Sequence, residues 1–109
     1  MTKAPGAPQE VYTLLAHVGR KKGDGLPPAA SGGALLCYAA AADEAEAARE
    51  TAAILRDAGL SVLEVEGHGA LAEREAAGHE IGPEDRALMA RAQAENAVIV
   101  AEMTPVFED

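Results

Sequence analysis

The residues in this sequence with the clearest chemical potential are a basic triplet and one histidine. Arg20, Lys21 and Lys22 stand between two glycines in a segment rich in glycine and proline. Cationic side chains and flexible backbone amides can together surround a phosphate or a carboxylate. His68 also lies between two glycines, after an apolar run, and ligands of α/β proteins bind at such strand ends. We therefore predict Arg20, Lys21, Lys22 and His68 as ligand-binding residues.

Patterns for metal binding or catalysis are weak. His17, His68, His79 and Cys37 do not fall at close zinc-ligand spacings such as H-x-x-x-H or C-x-x-C. We predict no metal site and no cofactor. Neither a G-x-S-x-G nor a Walker pattern occurs, and carboxylates spaced two apart are more typical of a solvated strand face than of an acid/base pair. We predict no catalytic residue, and a small enzyme of unknown class stays an open alternative.

The charge of the chain excludes some partners. Asp and Glu number 18 against 9 Lys and Arg, which gives a net charge of -9, and only 3% of residues are aromatic. A negative surface with few stacking side chains predicts that the protein binds neither nucleic acid nor a membrane surface. The longest apolar run, residues 33–42, is shorter than the roughly 20 residues needed to span a bilayer. We found no targeting segment, and we predict a cytoplasmic protein.

The elements that position these residues begin with a β-α-β pattern in residues 34–66. The first apolar run predicts a central strand. Asp43, with Glu46 three residues later, predicts a capped helix start, and Gly59 predicts the end of that helix. Residues 61–66 then alternate apolar and polar side chains, which predicts a half-exposed strand nearer the sheet edge.

The flanking segments complete the predicted domain. Residues 10–18 predict another strand, and residues 19–33 predict a flexible loop, because glycine and proline recur there. Residues 70–77 predict a short polar helix. Pro83 predicts the start of the last helix, and residues 97–103 predict the last strand.

Strands that alternate with helices favour right-handed crossovers and parallel pairing. We predict the α/β class: a small mixed, mainly parallel four-stranded sheet packed with two to three helices. This single domain occupies residues 10–109, after a disordered tail in residues 1–9. The alternative is a ferredoxin-like α+β sandwich, in which part of residues 67–82 forms a strand beside the central one. The predicted core residues are Leu14, Leu35, Leu36, Ile54, Leu55, Leu63, Val65, Leu88, Val98, Ile99 and Val100.

One segment resembles a known family. Residues 62–69 (VLEVEGHG), after a helix that ends at Ala58 and Gly59, are similar to the region before the ligand loop of nitrogen-regulatory PII-type proteins. The resemblance covers about a quarter of the chain; no strand is evident before the Pro83 helix, and the basic phosphate-contacting segment expected after that helix is absent. It implies small-molecule sensing and assigns no individual residue.

The thin core favours self-association. Alanine makes up much of the hydrophobic fraction of 49%, so large apolar side chains are few, yet two strands are apolar on both faces. We predict a non-catalytic domain that acts through protein-protein association, as a homodimer or with another protein. The alternative is a regulatory sensor that binds a small anionic metabolite between residues 20–22 and His68.

Overall fold

The structure, a computed structural model, describes residues 9–107 and contains four strands and three helices. In chain order the elements are β1 (Glu10–Val18), β2 (Gly32–Ala41), α1 (Glu44–Asp57), β3 (Val62–Ala70), α2 (Leu71–Ala76), α3 (Pro83–Glu95) and β4 (Val98–Val106). The element types and their order agree with the sequence patterns. Apart from Gln9, the tail predicted for residues 1–9 lies outside the described residues.

The predicted pairing of the strands is wrong. The sheet has the order β3-β1-β2-β4, and each of its three pairings is antiparallel. The protein is therefore an α+β fold with an all-antiparallel sheet, and not an α/β fold with mainly parallel strands.

The position of β1 explains this difference. Helix α1 returns the chain so that β2 and β3 run in the same direction, as a β-α-β pattern requires. However, β1 lies between them and pairs antiparallel with both. Residues 67–70, which the ferredoxin-like alternative assigned to a separate strand beside the central one, instead continue β3 along β1.

The sheet carries helices on both sides. Because side chains alternate along a strand, every second residue of β1 and β2 faces α1, and the residues between them face α2 and α3. On the α1 side, Leu55 packs with Val18 and Leu35. On the α3 side, Met89 packs with Val11 and Tyr38. Both faces of the two central strands are therefore used for packing.

The ends of α1 follow the predicted signals. The Asp43 carboxylate accepts a hydrogen bond of 2.8 Å from the Glu46 backbone N–H, which satisfies a donor in the first turn. Gly59 has a φ of 91°, which lies in the left-handed region that glycine adopts readily after a helix. Strand β4 extends past the predicted end and includes Pro105. Proline is tolerated there because β4 is an edge strand.

The predicted core is partly wrong. Leu14, Leu35 and Leu55 are buried, as predicted, but Ile54 and Leu63 are exposed by 49% and 70%. Val100 is likewise exposed by 43%. Ile54 lies on the flank of α1 next to β4, and Leu63 and Val100 lie on the two edge strands, so all three are at the borders of the layers.

Replacing Thr51 with valine is expected to stabilise the protein. Thr51 is fully buried in α1, and its hydroxyl oxygen has no hydrogen-bond partner among residues 9–107. Valine has nearly the same shape and carries no polar atom to desolvate, so the free energy of unfolding should rise by about 1 kcal/mol. Urea denaturation measures this change. The same substitution at exposed Thr104 is the control and should have little effect, whereas destabilisation by Thr51→Val would show that the hydroxyl has a partner.

Alkaline pH is expected to destabilise the fold. Burial raises the pKa of the Cys37 thiol to about 11, and burial with a hydrogen bond to Asp85 raises the pKa of Tyr38 to about 12. Both groups stay protonated in the folded state at pH values where they already ionise in the unfolded chain. Their contribution to the free energy of unfolding is therefore complete below their pKa values in the unfolded chain and declines as pH rises toward 11 and 12. Chemical denaturation between pH 8 and 11 measures this. Cys37→Ala should flatten the decline, and an unchanged slope would contradict the assignment.

Candidate functional site

Strands β1 and β3 bring two histidines and two glutamates together on the α3 side of the sheet. Cross-strand pairing places Glu64 opposite His17 and Glu66 opposite Leu15. Opposed residues of an antiparallel pair project from the same side, so both carboxylates lie beside His17. We call His17, Glu64, Glu66 and His68 the histidine-glutamate cluster.

The Glu66 carboxylate lies between the two imidazoles of this cluster. The His17 Nε2 atom lies 3.2 Å from Glu66 Oε1, and His68 Nε2 lies 3.5 Å from Glu66 Oε2. The ligand atoms of His17, Glu64 and Glu66 all lie within 4.8 Å of one another. The side chains of His17, Glu66 and His68 are 37%, 43% and 47% exposed, so small molecules and ions can reach them.

The basic triplet lies in a loop formed by residues 19–31, which we call the basic loop. Arg20, Lys21 and Lys22 line one shallow depression together with Pro28. The loop also contacts the core, because Leu26 is buried and packs with the α1 side of the sheet. The structure therefore brings the three predicted basic residues together.

Arg20 differs from the two lysines because its guanidinium is bonded within the basic loop. It donates to the Asp24 carboxylate at 3.0 Å and to the carbonyl oxygens of Pro27 and Ala30. Backbone N–H donors from Lys21 and Leu26 together with the Arg20 guanidinium lower the pKa of Asp24. The charged Asp24 carboxylate therefore stabilises the folded loop at pH values above the ordinary pKa of aspartate. This stabilisation is lost as the pH falls from that value through the lowered pKa of the folded state. Arg20 acts here as a structural anchor.

The structure does not bring His68 to the basic loop. Gly19 hydrogen-bonds to Ser61 just before β3 begins, whereas His68 lies near the other end of that strand. His68 is six positions after Val62 along an extended strand, which corresponds to roughly 20 Å. A small anion held by Lys21 and Lys22 could not also contact His68.

Exposed apolar side chains are concentrated along β4 and the adjoining flank of α1. Val98 and Val100 lie opposite Ala39 and Cys37, and Met103 lies opposite Leu35, so all three face the α1 side. Val100 and Met103 are each 43% exposed. Ile54 of α1 and Val98 border a common groove. We call Ile54, Val98, Val100 and Met103 the β4 margin.

Charged residues border this apolar surface. The groove between α1 and β4 is lined by Arg49, Glu50 and Asp57 as well as by Ile54 and Val98. A basic residue and acidic residues thus stand on one helix flank beside an apolar strip. An apolar centre with a charged rim is the usual composition of a protein-protein interface.

Sequence reasoning missed two of these features. His17, Glu64 and Glu66 were not predicted as a cluster, although Glu64, Glu66 and His68 alternate along one strand and must share its face. The β4 margin was missed because Ile54 and Val100 were predicted to be buried.

Comparison with known proteins identifies a family and no further relative. A family model described as a domain of unknown function (DUF8846) matches residues 11–107, so the chain belongs to that family. No curated protein and no solved structure matches the chain. Among the described residues, none of the helices has the length and apolar character needed to cross a membrane.

Proposed function

We propose that this member of the DUF8846 family is a non-catalytic association domain that forms a homodimer through the β4 margin and acts in the cytoplasm. The observation that carries the proposal is the concentration of exposed apolar side chains on one edge strand and the helix flank beside it. Monomeric proteins seldom leave such a contiguous strip in water, because covering it is favourable by about 25 cal/mol per Å².

The placement of α1 leaves this strip open. Helix α1 packs mainly over β3, β2 and β1, and it reaches β4 least. Within residues 9–107, Val100 and Met103 on the α1 side of β4 are consequently covered only in part. A second copy of the chain supplies such a layer, as in other homodimers whose interface continues the protein core.

The charges beside the groove favour a second copy as the partner. In a two-fold interface, a contact between one residue of the first copy and another residue of the second copy is repeated with the two copies exchanged. Arg49 of one copy can therefore lie against Glu50 or Asp57 of the other, twice per dimer. This rim pairing opposes the repulsion between two chains of net charge -9.

The opposite edge of the sheet is less suited to self-association. Strand β3 has Glu64 and Glu66 on its α3 side, whereas β4 has Glu102 as its single charged residue. Charged side chains on an edge strand protect it from pairing with another chain. Between the two edges, β4 is therefore the one that we assign to the dimer.

The test is the molar mass of a variant with two charges in the strip. Val100→Glu combined with Met103→Glu should convert the protein from twice the chain mass of 11.1 kDa to the single chain mass, measured by light scattering. Both side chains are partly exposed, so the monomer should stay folded, which circular dichroism verifies.

Leu63→Glu is the matched control. Leu63 is the most exposed large apolar residue of β3, at 70%, and it lies on the other edge of the sheet. It should leave the dimer intact. If the Leu63 variant became monomeric while the β4 variant stayed dimeric, the interface would lie on β3 and the proposal would be wrong.

Anion binding by the basic loop is the second candidate. Lys21 and Lys22 line its depression, and among the described residues neither forms an ion pair. Binding of phosphate or a dicarboxylate there would raise the melting temperature, and Lys21→Ala with Lys22→Ala would remove the rise.

A further inference from the structure

The histidine-glutamate cluster combines one nitrogen ligand and two oxygen ligands in positions fixed by the sheet. His17 comes from β1, and Glu64 and Glu66 come from β3, with Glu64 directly opposite His17. Their ligand atoms converge within 4.8 Å. We propose that this cluster binds one divalent transition-metal ion of the zinc class, with His68 as a fourth ligand.

The distances suit such an ion. Zinc bonds to histidine nitrogen and carboxylate oxygen are about 2.0–2.2 Å long, so neighbouring ligands of a tetrahedral site lie roughly 3.4 Å apart. The His17 Nε2 to Glu66 Oε1 distance is 3.2 Å, and His68 Nε2 to Glu66 Oε2 is 3.5 Å. His68 lies outside the group whose ligand atoms are all within 4.8 Å of one another, so its exposed side chain has to turn toward that group to complete the site.

The charge of the cluster also favours a cation. Glu64 and Glu66 project from the same side of β3, and within residues 9–107 neither forms an ion pair with a lysine or arginine. Both imidazoles lie against the Glu66 carboxylate, and a histidine is charged only when protonated. A bound divalent ion would neutralise both carboxylates while it used the nitrogen atoms as ligands.

The ligand types select the class of metal. Imidazole nitrogen suits zinc, copper, nickel and iron, whereas magnesium and calcium prefer sites made of oxygen ligands. A site with two histidines and two glutamates should therefore bind zinc in preference to magnesium. Its position on β3 separates it from the β4 margin at the other sheet edge, so this inference does not depend on the proposed dimer.

Isothermal titration calorimetry of the full chain with zinc chloride tests the site. We expect saturable binding of one zinc ion per chain in the micromolar range or tighter, and no comparable binding of magnesium chloride. His17→Gln and Glu66→Gln should each weaken zinc binding at least about tenfold. Loss of a residue that only orients a ligand already lowers metal affinity by about that factor, and loss of the ligand itself should lower it more.

His79→Gln is the matched control, because His79 is exposed and its Nδ1 lies 3.4 Å from Arg74 Nε, outside the cluster. It should bind zinc as the unmodified chain does. If His17→Gln fails to fold, Glu66→Gln decides, because Glu66 lies exposed on the edge strand and the substitution preserves its shape. The proposal is overturned if zinc does not bind saturably, or if both cluster variants bind it with unchanged affinity.

Discussion

Replacing Gly32 with alanine is expected to lower the free energy of unfolding by about 3 kcal/mol. An added Cβ atom at this buried position would overlap the backbone carbonyl oxygen of Val18. That oxygen belongs to β1 and cannot move without disturbing the pairing of the two central strands. The obstacle is space and not backbone conformation, because Gly32 has an ordinary φ. Chemical denaturation of the variant measures the loss.

Gly19→Ala provides the matched control for this prediction. Gly19 lies next to Gly32 in space, yet the nearest atoms to a Cβ there would belong to the Leu63 side chain, at an ordinary contact distance of 3.5 Å. Its substitution should leave stability unchanged or raise it by a few tenths of a kcal/mol, because alanine restricts the unfolded chain. If both variants were equally stable, β1 and β2 would not approach as closely as the structure shows.

Arg20→Ala is expected to lower the melting temperature by roughly 5 °C or more. The substitution removes the guanidinium that joins Asp24 to the carbonyl oxygens of Pro27 and Ala30. Hydrogen bonds that involve a charged group contribute more than neutral ones, and here one side chain forms several. Differential scanning calorimetry measures the change.

Lys21→Ala is the control for Arg20, since Lys21 is exposed and its side chain forms no ion pair among the described residues. It should leave the melting temperature nearly unchanged. Arg20→Lys should behave more like Arg20→Ala than like the unmodified chain, because lysine lacks the planar fork that reaches several acceptors at once. Equal melting temperatures for the Arg20 and Lys21 variants would show that the loop is not anchored through Arg20.

The local elements could be predicted because their signals are local. The Asp43 cap, Gly59 after α1 and Pro83 at the start of α3 depend on neighbouring residues only. The strand pairing could not be predicted in the same way. A β-α-β pattern shows that β2 and β3 run in the same direction, but it does not show that β1 lies between them.

The same limit explains the errors in the candidate sites. His17 and Glu64 are far apart in the sequence, and only the register of β1 against β3 makes them neighbours. A search for metal-ligating residues that are close together in the sequence finds sites on one helix or turn. It overlooks sites whose ligands come from two strands. The link predicted between His68 and the basic triplet assumed that the end of the strand lay near the loop, whereas the start of β3 lies there.

Burial at the sheet borders depends on the lateral position of α1. Ile54 and Val100 have apolar neighbours in sequence, and the helical and strand periodicities give them inward-facing positions. They are exposed because α1 lies toward β3 and leaves β4 uncovered. Sequence periodicity gives the face of an element, but not how far the opposing layer extends.

Sedimentation velocity of the unmodified chain over a concentration series, at low and moderate salt, tests the proposed homodimer most directly. We expect the mass to rise from 11.1 kDa toward twice that value as the protein concentration increases. Moderate salt screens the repulsion between chains of net charge -9, so the dimer should form at a lower protein concentration there than at low salt. A mass that stays at 11.1 kDa through high micromolar concentrations in both buffers would contradict self-association through the β4 margin.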